Sequence, residues 1–151
     1  MERPTALVLP SGIRDEVVAH LRSSAPLEGV GLIAVPQRSA GTADLIAIRY
    51  YPGTNQDRSP TRYTMAPDEV LRSFLEMEHL GWRLGAIVHS HPVGPATPSP
   101  TDRREFRYPE SLMVIVSLAG DAPDLRAWWL GDRSASRPAE VPVRIGSYPR
   151  S

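Results

Sequence analysis

The chain has 151 residues and no cysteine, and its 17 basic residues, all arginine, balance 17 acidic ones for a formal net charge of +0. This length suits one domain with a single core. Without cysteine, disulfides and thiolate metal sites are excluded, so any metal must be held by His, Asp or Glu. No block of like charges points to nucleic acid or an anionic membrane.

In the first half of the chain, apolar runs and turn residues predict three strands and two helices. The strands are expected at residues 6–10, 30–35 and 43–51, with a loop at 52–61. A helix at 11–24 has Ser11 as its predicted N-cap and an apolar face formed by Ile13, Val17, Val18 and Leu21. A second helix, over 67–82, carries an apolar stripe of Val70, Leu71, Phe74, Leu75 and Leu80.

The second half of the chain is predicted to be rich in strands. A buried strand at 84–91 becomes polar at its end, a short helix follows at 99–108, and further strands are expected at 111–119, 125–131 and 142–146. We therefore expect one α/β (α+β) domain over residues 1–147, with a mixed sheet flanked by two or three helices, and a frayed tail at 148–151.

The sequence pattern predicts no membrane segment. The apolar run near the N-terminus is too short for a signal peptide and soon meets charges. No run approaches the roughly 20 apolar residues of a membrane helix. A cytoplasmic location is therefore expected, whereas the sequence does not determine the oligomeric state.

Two of the four histidines, His89 and His91, flank one serine at the end of the predicted strand 84–91. Residues at i and i+2 of a strand point to the same side, so both imidazoles can converge on one transition metal ion. By itself His-x-His is weak evidence, and two half-exposed histidines at a strand exit explain it better. His20 and His79 lie in the predicted helices and are assigned no role.

Three further polar residues have both an ordinary and a functional interpretation. Ser99 and Asp102 suit the start of a helix, with Ser99 as N-cap, Pro100 in the first position and a carboxylate in the first turn. The proline-rich loop before them could also fold Asp102 back onto the histidine pair. Glu28 stands directly before a buried strand, where a surface position is the better interpretation if the residue is taken alone.

Together these residues resemble the JAMM (MPN-plus) metalloprotease family, also called JAB1/Mov34 domains. The resemblance rests on Glu28, on the sequence His-Ser-His-Pro at 89–92 and on Ser-Pro-Thr-Asp at 99–102. The segments PLEGVGLIA and NQDRSPTRYTMAPDEV are also similar to stretches of the family. The resemblance implies a single JAB1/MPN domain of the compact prokaryotic type, with a curved mixed sheet and cytidine-deaminase-like layering.

The resemblance also implies a site and a reaction. It assigns one zinc ion to His89, His91 and Asp102, which leaves a fourth position for water, as in a catalytic site. It makes Glu28 the residue that deprotonates this water and passes the proton to the leaving amine. Ser99 would stabilise the oxyanion. The expected reaction is hydrolysis of a peptide or isopeptide bond without a covalent intermediate.

The expected partner is a small ubiquitin-like or sulfur-carrier protein with a Gly-Gly tail. Release of a cysteine adduct is placed slightly ahead of removal of the carrier from a target protein. The main alternative is a non-catalytic MPN scaffold that binds ubiquitin-like partners, although such modules usually lack a metal ligand. A deaminase-like zinc site would need cysteines, and RadC-like relatives carry asparagine where this chain has Ser90.

Overall fold

The computed structural model describes residues 3–37, 43–131 and 137–146, which form two sheets and three helices. The predicted fold class, α/β (α+β), is confirmed. In chain order the elements are β1 (Leu7–Pro10), α1 (Ser11–Ser24), β2 (Val30–Pro36), β3 (Leu45–Ile46), β4 (Arg49–Pro52), α2 (Pro67–Leu80), β5 (Trp82–His91), α3 (Pro100–Glu105), β6 (Leu112–Ser117), β7 (Asp124–Trp129), β8 (Ala139–Val141) and β9 (Val143–Gly146).

The larger sheet has six strands in the order β4-β2-β5-β6-β7-β8. Its central strands β5 and β6 are parallel, whereas all its other neighbouring strands are antiparallel, so the sheet is mixed as predicted. In the pairing of β2 with β5, Val30 lies opposite His89 and Leu32 lies opposite Ile87. This register brings the start of β2 beside the end of β5.

The two faces of the larger sheet carry separate apolar clusters. Alternate strand residues point to opposite faces. On one face, Val88 and its neighbours pack with α1 and with the small parallel sheet β3-β1-β9. On the other face, Ile87 and its neighbours pack with α2 and with the segment after α3. His89 and His91 share this second face with Ile87, because strand side chains repeat every two residues.

The single strand predicted at 43–51 is wrong, because this segment divides between the two sheets. Residues of β3 pair with β1, and residues of β4 pair with β2. The backbone changes partners between adjacent residues, since the N–H of Ala47 donates to Val8 and the N–H of Ile48 donates to Ala34. One apolar run thus bridges two sheets, which alternation of side chains alone does not reveal.

The ends of α1 and α2 also differ from the prediction. Pro10 is the N-cap of α1, and no side-chain hydrogen bond caps this end, so the predicted Ser11 cap is wrong. Strand β1 runs directly into the helix, which makes Ser11 its first residue. Helix α2 ends before Gly81, whose φ of 73° is left-handed, and Trp82 already belongs to β5.

The apolar stripe predicted on α2 is wrong for three of its five residues. Leu71, Leu75 and Leu80 are exposed, while the helix buries Ser73 and Met77. The hydroxyl of Ser73 donates to the Glu69 carbonyl at 2.8 Å, which satisfies its polar group inside the interface. The Tyr51 hydroxyl of β4 donates to Glu76 of α2 at 2.8 Å. This contact helps to hold the helix in the orientation that buries Ser73 and Met77.

Some predictions concern residues beyond the described parts of the chain. Residues 148–151, predicted to fray, lie outside them, and the domain limits 1–147 stay a prediction. Among the helices of the described residues, none is both long and apolar enough to span a bilayer.

Candidate metal centre

The two histidines at the end of β5 are buried and converge. His89 is fully buried and His91 is 9% exposed, so half-exposed histidines at a strand exit are ruled out. Their ring centroids lie 5.1 Å apart. The strand fixes this convergence, since the preceding residues of β5 are anchored in the core between β2 and β6.

The loop between β5 and α3 returns the chain to these histidines. Three hydrogen bonds to its carbonyls hold it: from His91 Nδ1 to Pro95 at 2.7 Å, from Ser117 Oγ to Gly94 at 2.6 Å, and from Trp128 Nε1 to Ala96 at 2.9 Å. The loop therefore delivers the start of α3 to the end of β5.

Helix α3 begins with a capping box that orients Asp102. The backbone N–H of Asp102 donates to Ser99 Oγ at 3.0 Å, and the N–H of Ser99 donates to Asp102 Oδ2 at 2.9 Å. The predicted cap and Pro100 at the first position are confirmed, although the helix ends at Glu105. The helix cap and a position of Asp102 near the histidines are therefore compatible, because the cap fixes the buried carboxylate.

His89, His91 and Asp102 form one compact cluster of possible metal ligands. His89 Nε2 and His91 Nε2 are 3.3 Å apart, and Asp102 Oδ2 lies 3.3 Å from the first and 3.0 Å from the second. Bonds of about 2.0–2.1 Å in a tetrahedron place ligands roughly 3.3 Å apart. The three atoms therefore already have the mutual spacing that a tetrahedral zinc ion requires.

The hydrogen-bonding pattern of the cluster calls for a cation. The Pro95 carbonyl can only accept, so His91 Nδ1 carries a proton and the neutral ring turns the Nε2 lone pair toward Asp102. Two acceptor atoms at 3.0 Å repel each other unless a proton or a metal lies between them. A His-His-Asp set with a backbone-bonded second ring nitrogen is also the usual donor arrangement for zinc.

Glu28 is buried beside this cluster, with 3% of its surface exposed, so the surface interpretation is wrong. Its backbone is fixed on both sides: the N–H donates to the Ser59 carbonyl at 2.8 Å, and the carbonyl accepts from Asn55 Nδ2 at 3.0 Å. The next residue, Gly29, donates to Ser90 Oγ at 2.8 Å. Glu28 Oε1 has no hydrogen-bond partner among the described residues, so this oxygen is available to a substrate or water.

Burial and neighbouring charge shift the pKa values of the site in opposite directions. Burial raises the pKa of the Glu28 carboxyl to about 8, with Asp102 adding to the effect and His91 opposing it. Burial also lowers the pKa of His89. For Asp102, burial is outweighed by His89 and His91, which donate to the carboxylate when their facing nitrogens are protonated and so hold its pKa well below the usual range. His91 has a raised pKa, because contacts with Asp102 and Pro95 outweigh burial.

The sequence interpretation missed two residues that support the site. Tyr63 stacks on His89, with ring centroids 4.4 Å apart and planes 23° apart. Asn55 donates to the carbonyls of Glu28 and Arg62, and its Oδ1 accepts from the N–H groups of Asp57 and Thr64. Both lie in the segment NQDRSPTRYTMAPDEV, whose family likeness was visible, but no spacing rule linked them to the histidines.

A comparison with known families matches residues 10–131 to the prokaryotic homologues of the JAB domain. The chain belongs to this family. The match confirms the family predicted from Glu28, the His-Ser-His-Pro motif and the Ser-x-x-Asp motif. It covers every residue assigned to the candidate site.

Relatives of this JAB-family chain carry the names of peptidases. A probable TtuB-protein conjugate cleaving protease of Thermus thermophilus is 42% identical over 103 residues, which are 68% of this chain and 64% of that protein. A CysO-cysteine peptidase of Mycobacterium tuberculosis is 34% identical over 140 residues, which are 92% of this chain and 90% of that protein. The names of these relatives and the family match confirm the prediction that the chain is a hydrolase.

A solved relative has the same architecture. The solution structure of a protein from Desulfitobacterium hafniense superposes with a TM-score of 0.82 at 29% identity, and the match covers 94% of each chain. The fold of this JAB-family chain is therefore found in a protein of nearly equal extent.

Proposed function

We propose that this chain is a zinc-dependent peptidase or isopeptidase that cleaves at the C-terminal Gly-Gly tail of a small ubiquitin-like or sulfur-carrier protein. The observation that carries the proposal is the cluster of His89, His91 and Asp102, whose ligand atoms lie 3.0–3.3 Å apart beside the buried Glu28. The names of the relatives, which refer to TtuB conjugates and to CysO-cysteine, support this substrate class.

His89, His91 and Asp102 would hold a single zinc ion. When bound, zinc would lower the pKa of a water molecule to about 7 and polarise a carbonyl oxygen. The three residues are buried, so they exclude bulk water from the ligand atoms and keep the local dielectric low. Pro95 holds His91 and Ser99 holds Asp102 in place before the metal arrives, whereas His89 is held by the strand and by the stacked Tyr63 ring.

Glu28 acts as the general base and then as the general acid. Burial raises its pKa to about 8 in the metal-free protein, and a cation held by the neighbouring cluster would favour the ionised carboxylate that accepts a proton. Its free Oε1 takes a proton from the attacking water and returns it to the departing amine. The surrounding backbone hydrogen bonds limit its movement between these two tasks.

Ser99 stabilises the negative charge that develops on the scissile carbonyl oxygen. Its Oγ accepts from the N–H of Asp102, and its own O–H remains to be donated. Removal of one such donor typically costs about 2.7–4 kcal/mol of transition-state stabilisation. The capping box therefore positions a ligand and an oxyanion donor with the same turn of helix.

Among the substrates of this class, we place release of a cysteine adduct slightly ahead of removal of the carrier from a target protein. The relative named for CysO-cysteine matches 92% of this chain, which supports that order. A cytoplasmic location belongs to the same proposal, and fractionation of cells that express the tagged protein tests it.

The experiment that tests the function is incubation of the zinc-loaded protein with Gly-Gly-tailed carriers, both as cysteine adducts and as target conjugates, with mass spectrometry of the products. Glu28→Gln should bind zinc and lose hydrolysis, whereas His89→Ala should lose both. Glu78→Gln, an exposed change on α2, is the matched control and should cleave as wild type does. Normal cleavage by Glu28→Gln would show that another group is the base.

A further inference from the structure

A cavity of about 330 Å³ lies next to the metal centre and has no assigned role. Its floor is formed by Val30 and Leu32 of β2 and by Ile87 of β5. In the register of these strands Val30 faces His89 and Leu32 faces Ile87, so floor and histidines share one face of the sheet. The cavity therefore lies on the same face of the sheet as the two histidines, with Ile87 two residues before His89 and Tyr63 between them.

The walls of the cavity are mainly apolar and aromatic, and its mouth is polar. The walls include Tyr63, Met65, Val70, Phe106 and Tyr108. Thr64, Glu105 and Arg107 also line it and are exposed, so the cavity opens at the surface. At about 330 Å³ the cavity has room for one large apolar side chain.

The distance between cavity and metal centre matches two residues of extended chain. Ile87 and His89 are two positions apart in one strand, a separation of about 6.7 Å. A Gly-Gly segment in extended conformation covers the same length. Tyr63, which lines the cavity and stacks on His89, stands between the two places.

From this position and spacing we infer that the cavity is a specificity pocket for an apolar side chain on the residue that precedes the Gly-Gly of the substrate tail. The inference rests on the proposed function. With the carbonyl of the last glycine at the metal centre, the residue before Gly-Gly lies over Ile87. The two glycines pass over Tyr63, where the absence of side chains lets the tail lie close to the ring.

The chemistry of the pocket sets its preference. Leucine buries apolar surface against Met65, Val70 and Phe106, whereas alanine leaves most of this surface uncovered. Aspartate would bring a charge against the apolar floor of Val30, Leu32 and Ile87, which is unfavourable. The Glu105 carboxylate at the mouth is already paired with Arg62, at 2.6 and 2.9 Å.

The test uses short fluorescein-labelled peptides ending in Xaa-Gly-Gly-Cys, with leucine, alanine or aspartate as Xaa. Binding is measured by anisotropy, and kcat/KM for release of cysteine is measured in parallel. We expect leucine to exceed alanine by about tenfold or more in both measurements, since hydrophobic pockets discriminate methylene groups by this order. Equal values for the three peptides would overturn the pocket.

Variants locate the preference in the cavity. Val70→Phe fills space at a lining position and should bring the leucine-to-alanine ratio within about threefold, while Val70→Ala should leave leucine favoured. Leu71→Phe is the matched control, because Leu71 is 59% exposed on the same helix and does not line the cavity. An unchanged ratio in Val70→Phe would contradict the assignment.

The binding measurement separates this inference from the proposed function. If no peptide is hydrolysed but leucine still binds more tightly and Val70→Phe removes the difference, the pocket stands and the reaction is wrong. If all peptides are hydrolysed and bound equally, the reaction stands and the pocket is wrong.

Discussion

At the scale of single residues, the candidate metal centre concentrates groups that a protein interior normally excludes. Two imidazoles and two carboxylates are buried within one small region, and Glu28 Oε1 lacks a hydrogen-bond partner among the described residues. An unpaired buried charge is costly, and the group's pKa moves to avoid it. The raised pKa of Glu28 is the direct sign of this cost.

The metal-free protein should therefore lose stability as pH rises from about 4.5 to about 8, the range in which Glu28 is ionised in the unfolded chain but protonated in the folded one. Burial raises its pKa from 4.5 to about 8, so between these pH values the folded state binds more protons than the unfolded state, and stability falls as pH rises. Glu28→Gln cannot ionise and should be more stable than wild type at pH 8 by roughly 4 kcal/mol, a difference that shrinks toward pH 5.

Urea denaturation in the presence of a chelator measures this difference. His91 and Asp102 are common to both proteins, so their own titration largely cancels in the comparison. Glu78→Gln, which changes an exposed carboxylate, should follow wild type at both pH values. A wild-type protein as stable as Glu28→Gln at pH 8 would contradict the raised pKa.

Replacement of Asn55 should also affect both the stability of the protein and the geometry of the candidate site. Its amide donates to the carbonyls of Glu28 and Arg62, at 3.0 and 2.9 Å, and so ties the proposed base to the segment that carries Tyr63. Asn55→Ala should cost about 2 kcal/mol of stability, because buried carbonyls lose their donor. It should also lower kcat about tenfold or more, because a carboxylate displaced by about an ångström no longer has the geometry for proton transfer.

Asn55→Asp is the informative companion to this variant, since it keeps the acceptor oxygen and loses both donor hydrogens. We expect its kcat to fall as in Asn55→Ala, and the pH profile of kcat to shift because Glu28 has a new acidic neighbour. A wild-type pH profile and kcat in both variants would show that Asn55 does not position the base.

At the scale of elements, the close pairing of β4 with β2 shapes the segment that leads from Glu28. A Cβ at Gly31 would lie 2.3 Å from the Tyr50 hydroxyl, so Gly31 leaves the space that the tyrosine occupies. The same hydroxyl donates to His20 Nδ1 at 2.6 Å, because His20 Nε2 must donate to the Gly53 carbonyl. His20 thus links α1 to β4, a structural task that its sequence position did not reveal.

Gly31→Ala should therefore destabilise the protein by about 1–3 kcal/mol, as expected for overpacking in a core. The matched change Gly12→Ala lies in α1 with nothing within 4 Å, and should be neutral or stabilising by up to about 1 kcal/mol. Thermal or urea denaturation compares the two variants. Equal stability of both variants would mean that Tyr50 moves aside without cost.

At the scale of the whole molecule, the metal centre joins parts of the chain that are otherwise connected through a proline-rich loop. His89 and His91 end the central strand of the six-stranded sheet, whereas Asp102 belongs to a helix of six residues. A ligand that bridges them binds the folded state and not the unfolded chain. Binding of zinc should consequently stabilise the entire fold.

At a zinc concentration of about 100 times Kd, stabilisation of about 2.7 kcal/mol is expected, or roughly 5–10 °C in Tm for a chain of this size. The increase should be smaller at pH 5.5 than at pH 7.5. Protons compete with the metal for His91, whose pKa is raised by Asp102 and Pro95 against the effect of burial. Differential scanning calorimetry with and without zinc measures both effects.

His89→Ala removes one ligand, so its Tm should respond far less to zinc at either pH. His79→Ala is the control for loss of a histidine, because His79 is exposed at the end of α2. An equal increase in Tm for His89→Ala and wild type would place the metal elsewhere.

The sequence by itself determined the types of residue at the site, their order and the family. These follow from local pattern: His89 and His91 share a strand face by periodicity, and Ser99 and Asp102 start a helix by their capping chemistry. The tertiary structure decided what depends on contacts between distant residues. The burial of Glu28, the rotation of α2 away from Leu71 and the stacking of Tyr63 on His89 are examples. Each results from competition among packing partners, and a local pattern contains no information about the partner that wins.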